Sequence, residues 1–320
     1  VRQRMTKEVV RYAENHPNIS ALHIWLADNY NNICECEACQ KHTQTDWYIT
    51  LLNEIDDALT ERGLQTKLVF LIYFELLWPP ETVTLKNPSR FLMMFAPITR
   101  TYTRPLCLTD QAVLRENPPS LPPYRLNQMI FPSDTEENLS FLYHWQKEFT
   151  GDSFDYDYHL MWDIDKELGG LKLAKVLYED CVRLKDIGLN GLISCQQNRA
   201  AFPSGLCQYI MARALFEPSC NFYDLVEEYA QAAYGEGSGL ALKYLEFLSN
   251  GFSHAYMRGE EEGKTEADYA MLFEGKPYKN GGTSLTEGAD SSGFTQSVLA
   301  HFGIAVPRLS AGQLTGTSLY

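Results

Sequence analysis

The chain has 320 residues, of which 45% are hydrophobic and 21% charged, and a formal net charge of -14. That length can bury one large core or two ordinary ones. The acidic balance, with no basic stripe, excludes a nucleic-acid partner and an anionic membrane surface, both of which need clustered Lys and Arg.

In chain order, residues 5–15 place Val9, Val10, Tyr12 and Ala13 at helical spacing, and His16-Pro17-Asn18 ends that helix. The chain opens inside it, at Val1-Arg2-Gln3-Arg4, which predicts a fragment or processed form. Residues 21–27 (ALHIWLA) are a short apolar run bounded by turn residues, hence a buried strand. A cysteine-rich loop follows. Tyr48, Leu51, Leu52, Ile55 and Leu59 then mark a second helix, stopped by Arg62-Gly63. Residues 67–74 (KLVFLIYF) and 90–96 (RFLMMFA) read as two more buried strands. A proline-rich stretch from 99 to 132 is irregular, and Ser133-Asp134-Thr135-Glu136 starts a helix through Leu139, Leu142, Tyr143 and Trp145. Residues 154–160 (FDYDYHL) alternate as a strand does, 170–187 form a helix, and 192–195 make a fifth strand. Helices follow at 204–216, 222–234 and 238–250, while the Gly- and Ser-rich tail from 259 lacks periodic apolar residues.

Strands that alternate with helices and are apolar throughout predict a parallel sheet covered on both faces. The reading is a (β/α)8 barrel lacking its first three strands in this chain. It assigns 1–216 to the partial barrel, 217–258 to a helical extension and 259–320 to a poorly structured tail. No glycine-rich phosphate loop follows any strand, which disfavours an open nucleotide-binding sheet. No run approaches the roughly 18 apolar residues of a membrane span. The eight scattered cysteines favour a reducing, cytoplasmic compartment.

A barrel of this kind collects its chemistry at the C-terminal ends of its strands. Those ends offer Asp28 and Tyr30, then Tyr73, then Arg100, then Asp155, Asp157 and His159, and finally Gln196, Gln197, Asn198 and Arg199. Paired carboxylates on separate strands are what glycoside hydrolysis needs, one as acid and one as nucleophile or base. Asp28 is the candidate acid, with Asp157 or Asp155 as its partner. Alternation puts the two strand aspartates on one face and Phe154, Tyr156 and Tyr158 on the other. The amide cluster with Arg199 suits sugar hydroxyls or a sugar carboxylate, and Trp162 is a candidate stacking platform. The expected partner is therefore an oligosaccharide or polysaccharide, one bearing a uronic acid included. Cys34, Cys36 and Cys39 carry the spacing of a metal site. A structural zinc would take its fourth ligand from His42, from Cys107 or from an upstream cysteine.

The segments WLADNYNNICECEAC, YHLMWD, GLNGLISCQQNRAAFPSGLCQYIMARALFEP and the YGEG after Ala233 resemble the bacterial domain of unknown function 4838. The resemblance spans about residues 1–250 and is most specific over 154–165 and 190–218. It implies a TIM barrel similar to α-glucuronidases, and glycan hydrolysis, without assigning a catalytic pair. The cysteine run is also similar to that of family 42 β-galactosidases, which implies zinc at Cys34, Cys36 and Cys39. Those enzymes carry Asn-Glu at the preceding strand end, whereas this chain has Ala27-Asp28. A carbohydrate-binding barrel without catalysis, or an inactive truncated barrel, is the alternative expectation.

Overall fold

The computed structural model describes residues 1–28, 32–107, 111–198, 204–251, 253–261, 266–301, 303–310 and 313. Helix α1 (Arg2–Asn15) leads to strand β1 (Ala21–His23), and helix α2 (Gln44–Glu61) to strand β2 (Lys67–Ile72). Strand β3 (Phe91–Phe95) is followed by α3 (Gln111–Glu116) and α4 (Thr135–Glu148), then by β4 (Ser153–Leu160), α5 (Leu171–Val182) and β5 (Leu192–Gln196). Local chemistry sets these boundaries. Thr43 and Asp46 form a reciprocal capping box at the start of α2, and Gly63, at φ 70°, ends it in a conformation that suits glycine. Asp134 caps α4 by accepting from Glu137 N.

The five strands form one sheet in the order β1-β2-β3-β4-β5, all parallel. The sheet curls like part of a barrel wall. Rings on its concave face show the curl directly: His23 lies 6.2 Å from Phe154 and Trp25 5.8 Å from Tyr156. In a flat sheet β1 and β4 would be three strand spacings apart, about 14 Å. The expectation of a parallel α/β barrel wall therefore holds for the strands described.

The central strands β2 and β3 are buried on both sides, for different reasons. Leu68, Phe70 and Ile72 of β2, with Phe91, Met93 and Phe95 of β3, pack with Leu52 and Ile55 of α2 and with Leu142 and Trp145 of α4. Val69, Leu71 and Met94 turn to the concave side. Register carries the row Ile72, Phe95, Asp155, Leu192 across the helix-covered face. The row Leu71, Met94, Phe154 lies on the concave one.

Beyond β5, α6 (Leu206–Phe216), α7 (Phe222–Tyr234) and α8 (Ser238–Gly251) stack in turn on α5. The next segment, with the short helix α9 (His254–Met257), docks onto the loops after β3 and β4. Asp163, fully buried, meets His254 Nε2 and Arg258 Nη1 at 2.7 Å each. Burial alone would raise its carboxyl, but those two partners hold it below the usual carboxylate range. Glu260 Oε2 accepts from the hydroxyls of Thr101 and Thr103, each at 2.9 Å.

Two expectations are corrected. The strand expected over 21–27 keeps its regular ladder only to His23; Ile24 N still donates to Val69 O at 3.0 Å, and the chain then leaves the sheet edge. The tail expected to lack structure holds α10 (Glu266–Met271), an antiparallel pair of β6 (Thr283–Ser284) with β7 (Gly288–Ala289), and α11 (Ser291–His301). Asp290 anchors it, accepting from Gly281 N at 2.8 Å, Gly293 N at 2.7 Å and Arg308 Nη2 at 2.8 Å. Polar capping thus supplies the order that apolar periodicity does not signal. Among the described residues no helix is long and apolar enough to cross a membrane.

Candidate functional site

A cavity of about 460 Å³ opens on the concave side at the C-terminal ends of the strands, within the size range of ligand sites. Its walls are Trp25, Leu71, Tyr73, Ile98, Tyr156, Tyr158, Met161 and Trp162, with Ala27, Asp28 and Cys195. Strands β2, β4 and β5, with the segments after β1 and β3, supply this lining, and Tyr156 and Tyr158 arrive together from β4. The Trp162 ring lies nearly parallel to that of Tyr158, at 5.7 Å and 14°, and Trp162 keeps 42% of its surface exposed. Trp25 meets Tyr156 edge-on at 89°. Asp28 is exposed and accepts from the Tyr73 hydroxyl at 3.3 Å. Burial, then the Cys195 thiol and the Asp28 carboxylate, push the Tyr156 hydroxyl up to about 12, so it remains a donor at neutral pH. The site therefore offers aromatic faces, hydroxyl donors and one carboxylate.

Of the expected site residues, Asp28, Tyr73 and Trp162 converge on this cavity. Gln196 ends β5 and Gln197 and Asn198 follow it, but none of the three lines the cavity; Gln197 N continues the ladder to Leu160 O at 3.0 Å. Tyr30 and Arg199 lie outside the described residues.

Asp155, Asp157, His159 and Arg100 are corrected: they belong to a closed network on the opposite, helix-covered face. All four are 0% exposed. Arg100 Nη1 donates to Asp157 Oδ2 and Nη2 to Asp180 Oδ2, both at 2.8 Å. His159 Nε2 reaches the same Asp180 oxygen at 2.8 Å. Tyr102 donates its hydroxyl to Asp157 Oδ1, and Leu106 N donates to Asp180 Oδ1, each at 2.5 Å. The network ties the loop after β3 to β4 and to α5. Burial works against the Asp157 anion, yet His159, Arg100 and the Tyr102 hydroxyl outweigh it and keep its carboxyl low. Asp155 is the reverse case. Neither of its oxygens accepts a hydrogen bond, and burial, then the Asp157 charge, raise its carboxyl well above 3.8. Burial and the neighbouring Asp157 charge thus favour the protonated form of Asp155.

The sulfur atoms of Cys34, Cys36 and Cys39 lie within 4.8 Å of one another, a group able to hold a metal ion. Their loop is held from outside. Asn127 accepts from Ile33 N at 2.8 Å and donates to Ile33 O at 2.8 Å and to Glu35 Oε1 at 2.7 Å. Backbone N–H of Cys39, then the neighbouring thiols, lower the Cys36 thiol to about 7, while hydrogen bonding to Cys36 raises Cys39 to about 11. His42 is corrected as a fourth ligand. Its Nδ1 pairs with Thr82 Oγ1 at 2.9 Å, and its ring lies against Trp47 at 4.9 Å. Cys107 is buried in the core under α4. Among the described residues no fourth ligand joins the sulfurs.

Sequence reasoning missed Trp25, Tyr156, Tyr158 and Cys195 as cavity residues, and Tyr102 and Asp180 as network members. The signal for the tyrosines was present: alternation separates them from the aspartates, and inward aspartates would have left three aromatic rings facing the helices. Asp180 gave none, being one acidic residue on an amphipathic helix. Comparison with protein-family models, curated proteins and solved structures finds no match in any of the three.

Proposed function

We propose that the protein recognises a glycan in this aromatic cleft, within an eight-stranded barrel of which the five strands are part of the wall. The observation that carries the reading is the half-exposed Trp162 indole, stacked on Tyr158 at the cavity mouth. A flat, supported ring presents an apolar face to a sugar's C–H face, while Asp28, Tyr73 and Tyr156 meet hydroxyls. Binding leads over hydrolysis because Asp28 is the one carboxylate among the cavity's described lining residues. Hydrolysis is the second reading, favoured by the place of Asp28 just past β1 among the rings. It requires a second carboxylate about 5–9.5 Å away.

Titration of neutral and uronic-acid oligosaccharides, followed by tryptophan fluorescence and calorimetry, is expected to show saturable binding that Trp162→Ala weakens about tenfold, roughly 1.4 kcal/mol. No response to any glycan, or equal affinity in the variant, would sink the reading. Asp28→Asn separates the two readings with aryl glycosides as substrates. A loss of about 100-fold or more in turnover supports hydrolysis, whereas weaker binding without measurable turnover in either protein supports a binding role.

The cysteine group is read as a structural zinc site at the rim of the strands. Three sulfurs within 4.8 Å need only a small contraction to reach the roughly 3.8 Å separation of tetrahedral zinc thiolates. The fourth ligand would come from outside the described set. Zinc-loaded protein is expected to bind about one ion per chain and to melt higher than chelated protein, with Cys36→Ser abolishing both differences. Equal melting of the two preparations would remove the zinc reading.

A further inference from the structure

The same loop carries a second chemistry. Cys39 N donates to Cys36 O at 2.9 Å, which closes a turn over residues 36–39. The ends of such a turn lie within about 7 Å between Cα atoms, and a disulfide accepts roughly 4.4–6.8 Å. Among the described residues no backbone hydrogen bond brings Cys34 onto either partner. The sulfurs already lie within 4.8 Å, so side-chain rotation can bring two of them to bonding distance. The backbone around them is fixed: Gln40 N also donates to Cys36 O at 3.0 Å, Trp47 Nε1 donates to Cys39 O at 3.3 Å, and Asn127 clamps Ile33. Cys34 and Cys36 are the exposed cysteines; Cys39, Cys195 and Cys220 are half-buried, and Cys107, Cys181 and Cys207 are buried.

We propose that Cys36 and Cys39 form a reversible disulfide by exchange with low-molecular-weight aliphatic disulfides, Cys34 remaining a free thiol. One protein thiolate attacks a sulfur of the small disulfide, forming a mixed disulfide and releasing one small thiolate. The second protein thiolate attacks the protein sulfur of that bond and releases the other. Two protein thiols are oxidised to one disulfide, and the small disulfide is reduced to two thiols. The two protons lost by the protein are taken up by the released thiolates. Closure withdraws two of the three sulfurs from metal binding, so disulfide and metal exclude each other. The proposal uses the sulfurs of the zinc reading but does not need the metal.

The test uses the full, chelator-treated chain, so that failure of the zinc reading leaves it intact. The protein is equilibrated in buffers of varied reduced-to-oxidised glutathione ratio, quenched in acid, alkylated and mapped by tandem mass spectrometry. The expected result is one intramolecular bond, Cys36 to Cys39, with Cys34 still alkylated and full reversal by dithiothreitol. Cys34→Ser should leave that bond unchanged, and Cys39→Ser should give only a glutathione adduct. A bond involving Cys34, a glutathione adduct without closure in the parent chain, or three alkylated thiols at the most oxidising ratio would each overturn the proposal. The parent chain alone supplies all three readouts, whatever the stability of the variants.

Discussion

Replacing Arg100 by Met is expected to lower the unfolding free energy by about 3–5 kcal/mol in urea titrations at neutral pH, the scale for removing one partner of a buried ion pair. Arg100 is fully buried and places one guanidinium nitrogen on Asp157 and the other on Asp180, both at 2.8 Å. Without it two carboxylates remain in the interior, with His159 and the Tyr102 hydroxyl as their remaining side-chain partners. Methionine fills much of the volume, so the loss reports uncompensated charge more than a cavity. Two further variants check the cause. Arg100→Lys keeps the charge but cannot fork across two acids, and should fall between the parent and Met. Adding Asp180→Asn to Arg100→Met removes one stranded charge and should recover part of the loss. If Arg100→Met unfolds within about 1 kcal/mol of the parent, the network does not fasten α5 to the sheet.

Asp155→Asn is expected to stabilise the protein increasingly as pH rises above 4. The sign follows from the raised carboxyl. Below its ordinary value of 3.8, Asp155 is protonated folded or unfolded, and contributes no pH dependence. Above that value the unfolded chain releases the proton while the folded chain retains it. Folding then takes up a proton, and stability falls with pH until the folded group ionises. Asparagine cannot ionise, and its amide is able to donate to a neighbouring carboxylate. The variant should match the parent near pH 4 and exceed it by a margin that grows toward pH 7. Asp157 and Asp163, whose carboxyls are held low, lose stabilisation as pH falls in both proteins, so the difference between the two curves carries the result. Parallel curves from pH 4 to 8 would show that Asp155 ionises freely.

Much of the wall was legible from residue order. Residues 68–72 and 91–95 are apolar without alternation, which in a parallel sheet means helices or core on both sides. Helices α2 and α4 announced themselves by capping residues and helical spacing. The site was less legible. Asp28 and Tyr73 were found because strand ends in a barrel wall point to a shared cavity, and Trp162 as a candidate ring for stacking on a sugar. Trp25 was passed over because an apolar run reads as core, although 44% of this side chain is exposed. His42 was proposed on nearness in sequence, but the start of α2 turns it toward Thr82.

The strand 153–160 separates what the sequence determined from what the tertiary structure decided. Its two-residue period alone places Asp155, Asp157 and His159 on one face and Tyr156 and Tyr158 on the other. Which face meets the cavity depends on partners far along the chain. Arg100 is 57 residues from Asp157 and 80 from Asp180. Only folding brings that cation beneath α5, where it offsets the desolvation of the acids and lets them turn away from the cleft. The aromatic face is then left to line the concave side, and the character of the cavity follows from where the buried charge could be neutralised.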